Sequence, residues 1–181
     1  MTYYGAADLA RSFRVVRKNT LAIAEDIPED QYDFRPAAGC RSVREILAHV
    51  AVSSQGIYHG HAVRKITTFL GIDFPALIRD RQEQERQLAK ASKAELTALL
   101  RDDGEKWGAY LDSVPEQELA VVLEFPEGAV PPAKSRFEML LSAKEHEMHH
   151  RAQLMVFERL LGLVPHLTRE REARLSMPPG R

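Results

Sequence analysis

The chain has 181 residues, 44% of them hydrophobic and 28% charged, with a formal net charge of -1; that is room for one domain with a sizeable core, not for two. The balanced charge argues against nucleic acid or an anionic membrane as partner, and no apolar stretch approaches the ~18 residues a membrane span needs. The single cysteine, Cys40, excludes a disulfide framework within the chain, reads as a small loop residue and points to a reducing compartment.

The segment 1–13, "MTYYGAADLARSF", lacks a basic stretch followed by an apolar run, so the expected location is cytoplasmic. A first helix is expected over 6–26, where Leu9, Phe13, Val16, Thr20, Ile23 and Ile27 recur at i, i+3, i+4 spacing. "IPEDQYDFRPAAGC", with two prolines and a glycine, reads as a loop. Ser42 and Glu45 form a capping-box pattern that opens a second helix. The pattern carries it to Leu70, with Gly71 as its stop and Pro75 as a further break or a new start.

"RDRQEQERQLAK" interleaves charges of both signs, the mark of a solvated helix face. A third long helix, 91–114, starts at the box Ser92-x-x-Glu95 and is weakened locally by Gly104 and Gly108. Between Pro115 and Lys134, "ELAVVLEF" reads as extended and "PEGAVPPAK" as a Pro/Gly loop. Ser135-x-x-Glu138 then caps a last long helix that ends at Leu161–Gly162. The tail 165–181 is expected to be partly disordered, with one short helix. Four long amphipathic helices and one short extended segment predict a single all-α domain over 1–181, a four-helix bundle.

The stretch "KEHEMHHRAQL" carries the chemistry. At about 100° per residue, His146 and His150 lie roughly 40° apart on one helix face. That face also holds Met139, Ala143, Leu154, Phe157 and Leu161, so the pair points to the core and His149 falls to one side. Buried imidazoles must have their nitrogens satisfied. A shared divalent ion does this well at i, i+4 spacing, and for a pair that reading outweighs two hydrogen-bonded core histidines. A third ligand must come from another helix. His49 sits at the edge of the apolar face of the second helix, in a lane of small residues (Ser42, Ser53, Gly56 and Gly60) that leaves room beside it. The same lane also suits close helix packing. His59 is expected in solvent, and His61, in the core stripe, is the reserve ligand.

"IPEDQYDFRPAAGCRSVREILAHV" followed by "HEMHHRAQL" resembles the DinB/YfiT family of small metalloenzymes, over nearly the whole chain and in the same element order. The resemblance implies a four-helix bundle in which one histidine of the second helix and both of the last hold a divalent metal: by position His49, His146 and His150. The family's last helix typically reads H-H-R-G-Q, and here Ala152 stands for the glycine.

His146-Glu147-Met148-His149-His150 also matches H-E-x-x-H literally. A zinc protease would need Glu147 as general base beside the metal and a third ligand. The extended form is absent, the only downstream candidates are Glu170 and Glu172 in the polar tail, and there is little strand to pair with a peptide. Glu147 is expected on the helix surface, solvated or salt-bridged.

Three neutral imidazoles leave an ion its full charge and an open position, the catalytic rather than the structural pattern. Zinc or nickel leads, with iron or manganese admissible. The resemblance implies an enzyme that activates a low-molecular-weight thiol, such as bacillithiol or mycothiol, against an electrophile; activation of water is the near alternative. A non-catalytic, damage-induced metal-binding bundle is the reading from another class. Phe137, Leu141, Met148 and Met155 form a second apolar stripe on the last helix, which predicts a homodimer contact.

Overall fold

The computed structural model describes residues 4–176. Helix α1 spans Ala6–Asp26, α2 Val43–Tyr58, α4 Lys93–Ser113 and α6 Arg136–Leu160. These are the four expected long helices, and they form the four-helix bundle: α1 packs on α4 and α6, and α2 packs on the same two. All three predicted capping boxes are present, at Ser42/Glu45, Ser92/Glu95 and Ser135/Glu138. Each satisfies backbone donors that an uncapped helix start would leave bare.

The second helix stops twelve residues before Leu70, at Tyr58, and a wide π-type turn follows over His59–Val63. The run Ile66-Thr67-Thr68 is β-branched and propagates a helix poorly. Phe69 then turns away to stack face to face on Phe125, 4.8 Å between centroids, while its N–H donates to the Glu124 carbonyl. Its partner segment is a small hairpin. Strands β1 (Val122–Glu124) and β2 (Ala133–Ser135) pair antiparallel with Leu123 opposite Lys134; β1 lies in the expected extended segment, and β2 forms at the end of the stretch expected to be a Pro/Gly loop.

Pro75 marks a new start. Asp73 caps α3 (Phe74–Leu88) by accepting from the Ala76 N–H. Helix α3 buries no residue fully, yet it packs along α2 on the outside of the bundle. A one-turn α5 (Glu116–Leu119) precedes the hairpin. The tail is more ordered than expected as far as Ser176: α7 (His166–Ser176) docks on α1 through Arg169–Asp26 at 2.6 Å. The expected disordered end lies beyond the described residues.

The apolar core falls into two clusters. One gathers Ile23, Ile27, Tyr32, Leu47, Leu96, Leu100, Leu154 and Phe157; the other gathers Leu9, Phe13, Trp107, Leu111, Leu140 and Ala143. Along every helix the gap between them holds polar or small residues: Arg17 and Thr20 on α1, Ser53 and Ser54 on α2, Gly104 on α4, Glu147 on α6. The stripe expected to mediate a homodimer is largely covered by the chain itself. Phe137 and Leu141 pack on the second cluster and Met155 on the first, leaving Met148 as its exposed member.

Candidate metal centre

Helix α6 presents its buried face through Leu140, Ala143, Glu147, His150, Leu154 and Phe157. This face is rotated by roughly 30° from the sequence expectation, with Leu140 and Glu147 taking the places expected for Met139 and His146. Its centre is drawn toward Glu147, which is 1% exposed rather than on the surface. Arg17 of α1 explains the rotation. Its Nε donates to Glu147 Oε1 at 2.9 Å and its Nη2 to Oε2 at 2.8 Å, while its Nη1 donates to the Leu100 carbonyl at 2.6 Å. A buried carboxylate with such a bidentate partner is compensated. Gly104 makes the crossing possible, because a Cβ there would lie 2.8 Å from Arg17 Cγ.

With both carboxylate oxygens held by Arg17, Glu147 cannot serve as the general base that an H-E-x-x-H protease requires. The literal motif is a coincidence of a core ion pair with an i, i+4 histidine pair.

The rotation leaves His146 half-buried at one edge of the face and His150 inside it. His49 of α2 meets them there. His146 Nε2 lies 3.0 Å from His49 Nε2 and 3.1 Å from His150 Nε2, and the three side chains offer nitrogens that all fall within 4.8 Å of one another. The structure thus brings His49, His146 and His150 together.

Two further side chains fix the rings. Glu85 Oε1 of α3 accepts from His49 Nδ1 at 2.8 Å. Gln153 Oε1 lies 2.8 Å from His150 Nδ1, and its amide nitrogen donates to His149 Nε2 at 3.2 Å. That orientation makes His150 Nδ1 the donor. Neutral His49 and His150 therefore both carry their proton on Nδ1 and present bare Nε2 lone pairs.

Burial pushes the pKa of all three histidines down. For His146 the fall is to about 4, with His150 and His49 adding to the effect of burial. For His49 burial is partly offset by Glu85, and for His150 by Gln153. The rings are neutral at pH 7. A single N–H on His146 Nε2 can point squarely at only one of its two neighbours. The lone pair of the other neighbour is then left without a donor at about 3 Å. A cation resolves this shortfall. Imidazole nitrogens bind zinc at about 2.0–2.1 Å, so two ligands of one ion sit no more than about 4.2 Å apart; the two pairs that share His146 meet that limit at 3.0 and 3.1 Å, and the His49–His150 pair lies within 4.8 Å. The residues present fit a divalent metal.

The other histidines are elsewhere. His61 is buried, and its Nδ1 faces Arg136 Nη1 at 3.1 Å. Burial, reinforced by Arg136, brings its pKa to about 4. As a neutral acceptor for that guanidinium it is removed from the reserve-ligand role. His59 is exposed, as expected. His149, left without a role by sequence, steadies Gln153.

The lane of small residues beside His49 is partly filled by packing at Ser53 and is exposed at Gly56. Arg81 of α3 lies along it, donating to Ser53 Oγ at 2.7 Å, and its Nε would be 4.0 Å from a Cβ at Gly56. Glu85 and Gln153 were missed by sequence. The only local signals were the i, i+4 pair Arg81/Glu85 inside a helix that reads as solvated, and a glutamine three residues after His150.

A four-helix bundle with three histidines converging from α2 and α6 defines a class of small bundles with a metal-type site. The chain matches the DinB superfamily over residues 12–154 and belongs to it. Among curated proteins it is 25% identical to YjoA of Bacillus subtilis over 150 residues, 81% of this chain and 84% of that one. Among solved structures it superposes on YfiT of Bacillus subtilis, described as a probable metal-dependent hydrolase with an unusual four-helix bundle topology. The TM-score is 0.71 at 17% identity, covering 90% of this chain and 91% of YfiT. It also superposes on the colibactin self-resistance protein ClbS in complex with double-stranded DNA, with a TM-score of 0.64 at 12% identity, covering 88% of this chain and 98% of ClbS. At these identities the structural likenesses establish the fold alone. No helix among the described residues is long and apolar enough to cross a membrane.

Proposed function

We propose that the chain is a divalent-metal-dependent enzyme whose ion is held by His49, His146 and His150, with an open position for a small nucleophile. The observation that carries this reading is the convergence of three neutral imidazole nitrogens without enough protons to satisfy one another. Such an ion brings the pKa of a coordinated water to about 7 and deprotonates a coordinated thiol, so either is available near neutral pH. The protein supplies the rest. Glu85 and Gln153 fix the tautomers and aim the Nε2 atoms, as outer partners of ligating histidines do. Three protein ligands rather than four support an open position on the ion.

Water and a low-molecular-weight thiol are the two nucleophiles in question. The description of YfiT as a probable hydrolase supports water, and the family resemblance supports a thiol. Zinc or nickel suits three imidazoles best, with iron and manganese next. The balanced net charge favours a small-molecule substrate over nucleic acid, and the DNA complex of ClbS is a property of that protein.

The test is the visible spectrum of the cobalt-substituted protein during titration with a low-molecular-weight thiol, beside ester hydrolysis with and without metal. A thiolate-to-cobalt charge-transfer band supports the thiol reading, and metal-dependent hydrolysis supports water. Neither signal, in a protein that does bind cobalt, leaves a non-catalytic metal-binding bundle.

A further inference from the structure

Two arginines flank the three histidines, and they differ in what holds them. Arg41 lies 3.8 Å from Glu85 Oε2, the carboxylate whose other oxygen accepts from His49. Arg81 has no carboxylate within ion-pair distance among the described residues; its side-chain partner is the neutral Ser53 hydroxyl. The placement follows from two antiparallel i, i+4 pairs. On α2 the pair is His49 and Ser53, on α3 it is Arg81 and Glu85, and the contacts cross as His49–Glu85 and Ser53–Arg81. Arg81 is therefore one helical turn from the residue that orients a candidate ligand.

The local charge balance is one-sided. The imidazoles are neutral, and Glu85 is a single carboxylate against two guanidiniums. Any divalent ion adds to that positive excess. A guanidinium has five N–H donors, of which Ser53 takes one. It stands half-buried, where charge-assisted hydrogen bonds outweigh those in open water.

Building on the metal reading, we infer that the site takes a small anionic molecule bearing a carboxylate or phosphate group, and that Arg81 recognises that group beside the ion. Arg81 is the specificity-determining residue. Arg41, engaged by Glu85, contributes to the field but does not grip the ligand. A cavity of about 270 Å³ adjoins the site at Glu85, lined by Arg41, Glu45, Gln82, Glu85, Arg86 and Ala89, and offers space beside it for the remainder of such a molecule.

The experiment uses the full chain loaded with cobalt, at constant ionic strength. Inorganic phosphate, acetate and the neutral ligand imidazole are titrated in turn, and the visible spectrum is followed. Arg81→Met and Arg81→Gln are expected to keep wild-type cobalt stoichiometry and imidazole affinity. Their phosphate and acetate affinities should fall by at least about tenfold, the scale of a lost charge-assisted contact. Arg41→Met should lose much less. Equal anion affinity in wild type and both Arg81 variants overturns the inference. So does an equal loss for imidazole, which would mark Arg81 as structural, and so does a wild-type spectrum that no anion perturbs. Failure of the wild type to bind cobalt refutes the metal reading itself. If the variants do not fold, phenylglyoxal modification of wild-type Arg81 decides: phosphate should slow it, and an unchanged rate overturns the inference.

Discussion

Arg17 and Glu147, 130 positions apart, form a bidentate ion pair in the middle of the bundle, with both side chains nearly inaccessible to water. The pair separates the two apolar clusters and ties α1 to α6, while the Leu100 carbonyl adds α4. It also sets the rotation of α6, and so which edge the histidines reach.

Glu147→Gln should lower stability by about 3–5 kcal/mol, because Arg17 is left as a buried charge without its counter-ion. Thermal melts of wild type and variant measure the loss. Against a total of about 5–15 kcal/mol this is large, but it leaves folded protein at low temperature. That folded fraction should still take up metal at wild-type stoichiometry. A variant of undiminished stability with abolished hydrolysis would instead restore Glu147 to the role of general base.

Gly104 and Gly108 both lie inside α4, where alanine is favoured over glycine by up to about 1 kcal/mol. Their neighbours separate them. A Cβ at Gly108 meets the far end of exposed Arg14, at 2.7 Å from its Nε, and that side chain can swing away. A Cβ at Gly104 meets the stem of Arg17, whose head is fixed by Glu147. Gly108→Ala should be neutral or stabilising, and Gly104→Ala destabilising by roughly 1–3 kcal/mol. Denaturant midpoints of the two variants give the signs.

Glu158 is 0% exposed, and neither carboxylate oxygen has a hydrogen-bond partner among the described residues. Burial, with Asp26 adding to it, raises its pKa from 4.5 to about 7. The folded state thus holds the proton more tightly than the unfolded state. Stability should fall as pH rises from about 4.5 through about 7, and the full penalty is present above that. It amounts to roughly 3 kcal/mol at 1.36 kcal/mol per pH unit. Glu158→Gln removes the charge, so its advantage over wild type should grow from acid to alkaline pH. A difference that stays constant between pH 4.5 and 8.5 would refute this account.

Glu85→Ala and Gln153→Ala should each weaken metal affinity by about 10–100-fold, since each releases one ring from its tautomer and orientation. Competition with a chromophoric chelator reads this. His149→Ala, which touches the site only through Gln153, should have a smaller effect in the same direction.

Much of this was legible before the structure. The four bundle helices followed from apolar spacing and from serine–glutamate boxes, which are local signals. His146 and His150 were legible because two imidazoles on one core stripe need a shared partner. His49 was legible only through the family resemblance, because its place at the edge of its apolar face suits a packing residue equally well. The burial of Glu147 was not, because its cause is an arginine on another helix. Helix α3 was only half legible. "RDRQEQERQ" reads as solvated, since Arg81 and Glu85 find their partners on α2 and not in an apolar core. The early end of α2 was hidden for a related reason: Phe69 completes an apolar contact, but with Phe125 of the distant hairpin.

The most direct test of the central claim is a cobalt titration of metal-free protein, wild type beside His49→Ala, His146→Ala and His150→Ala. One equivalent should bind tightly to wild type, with the visible bands of a nitrogen-ligated ion, and each single substitution should weaken that binding by at least about tenfold. Binding that survives any one of the three replacements unchanged, or wild-type protein that takes up no ion, would contradict it.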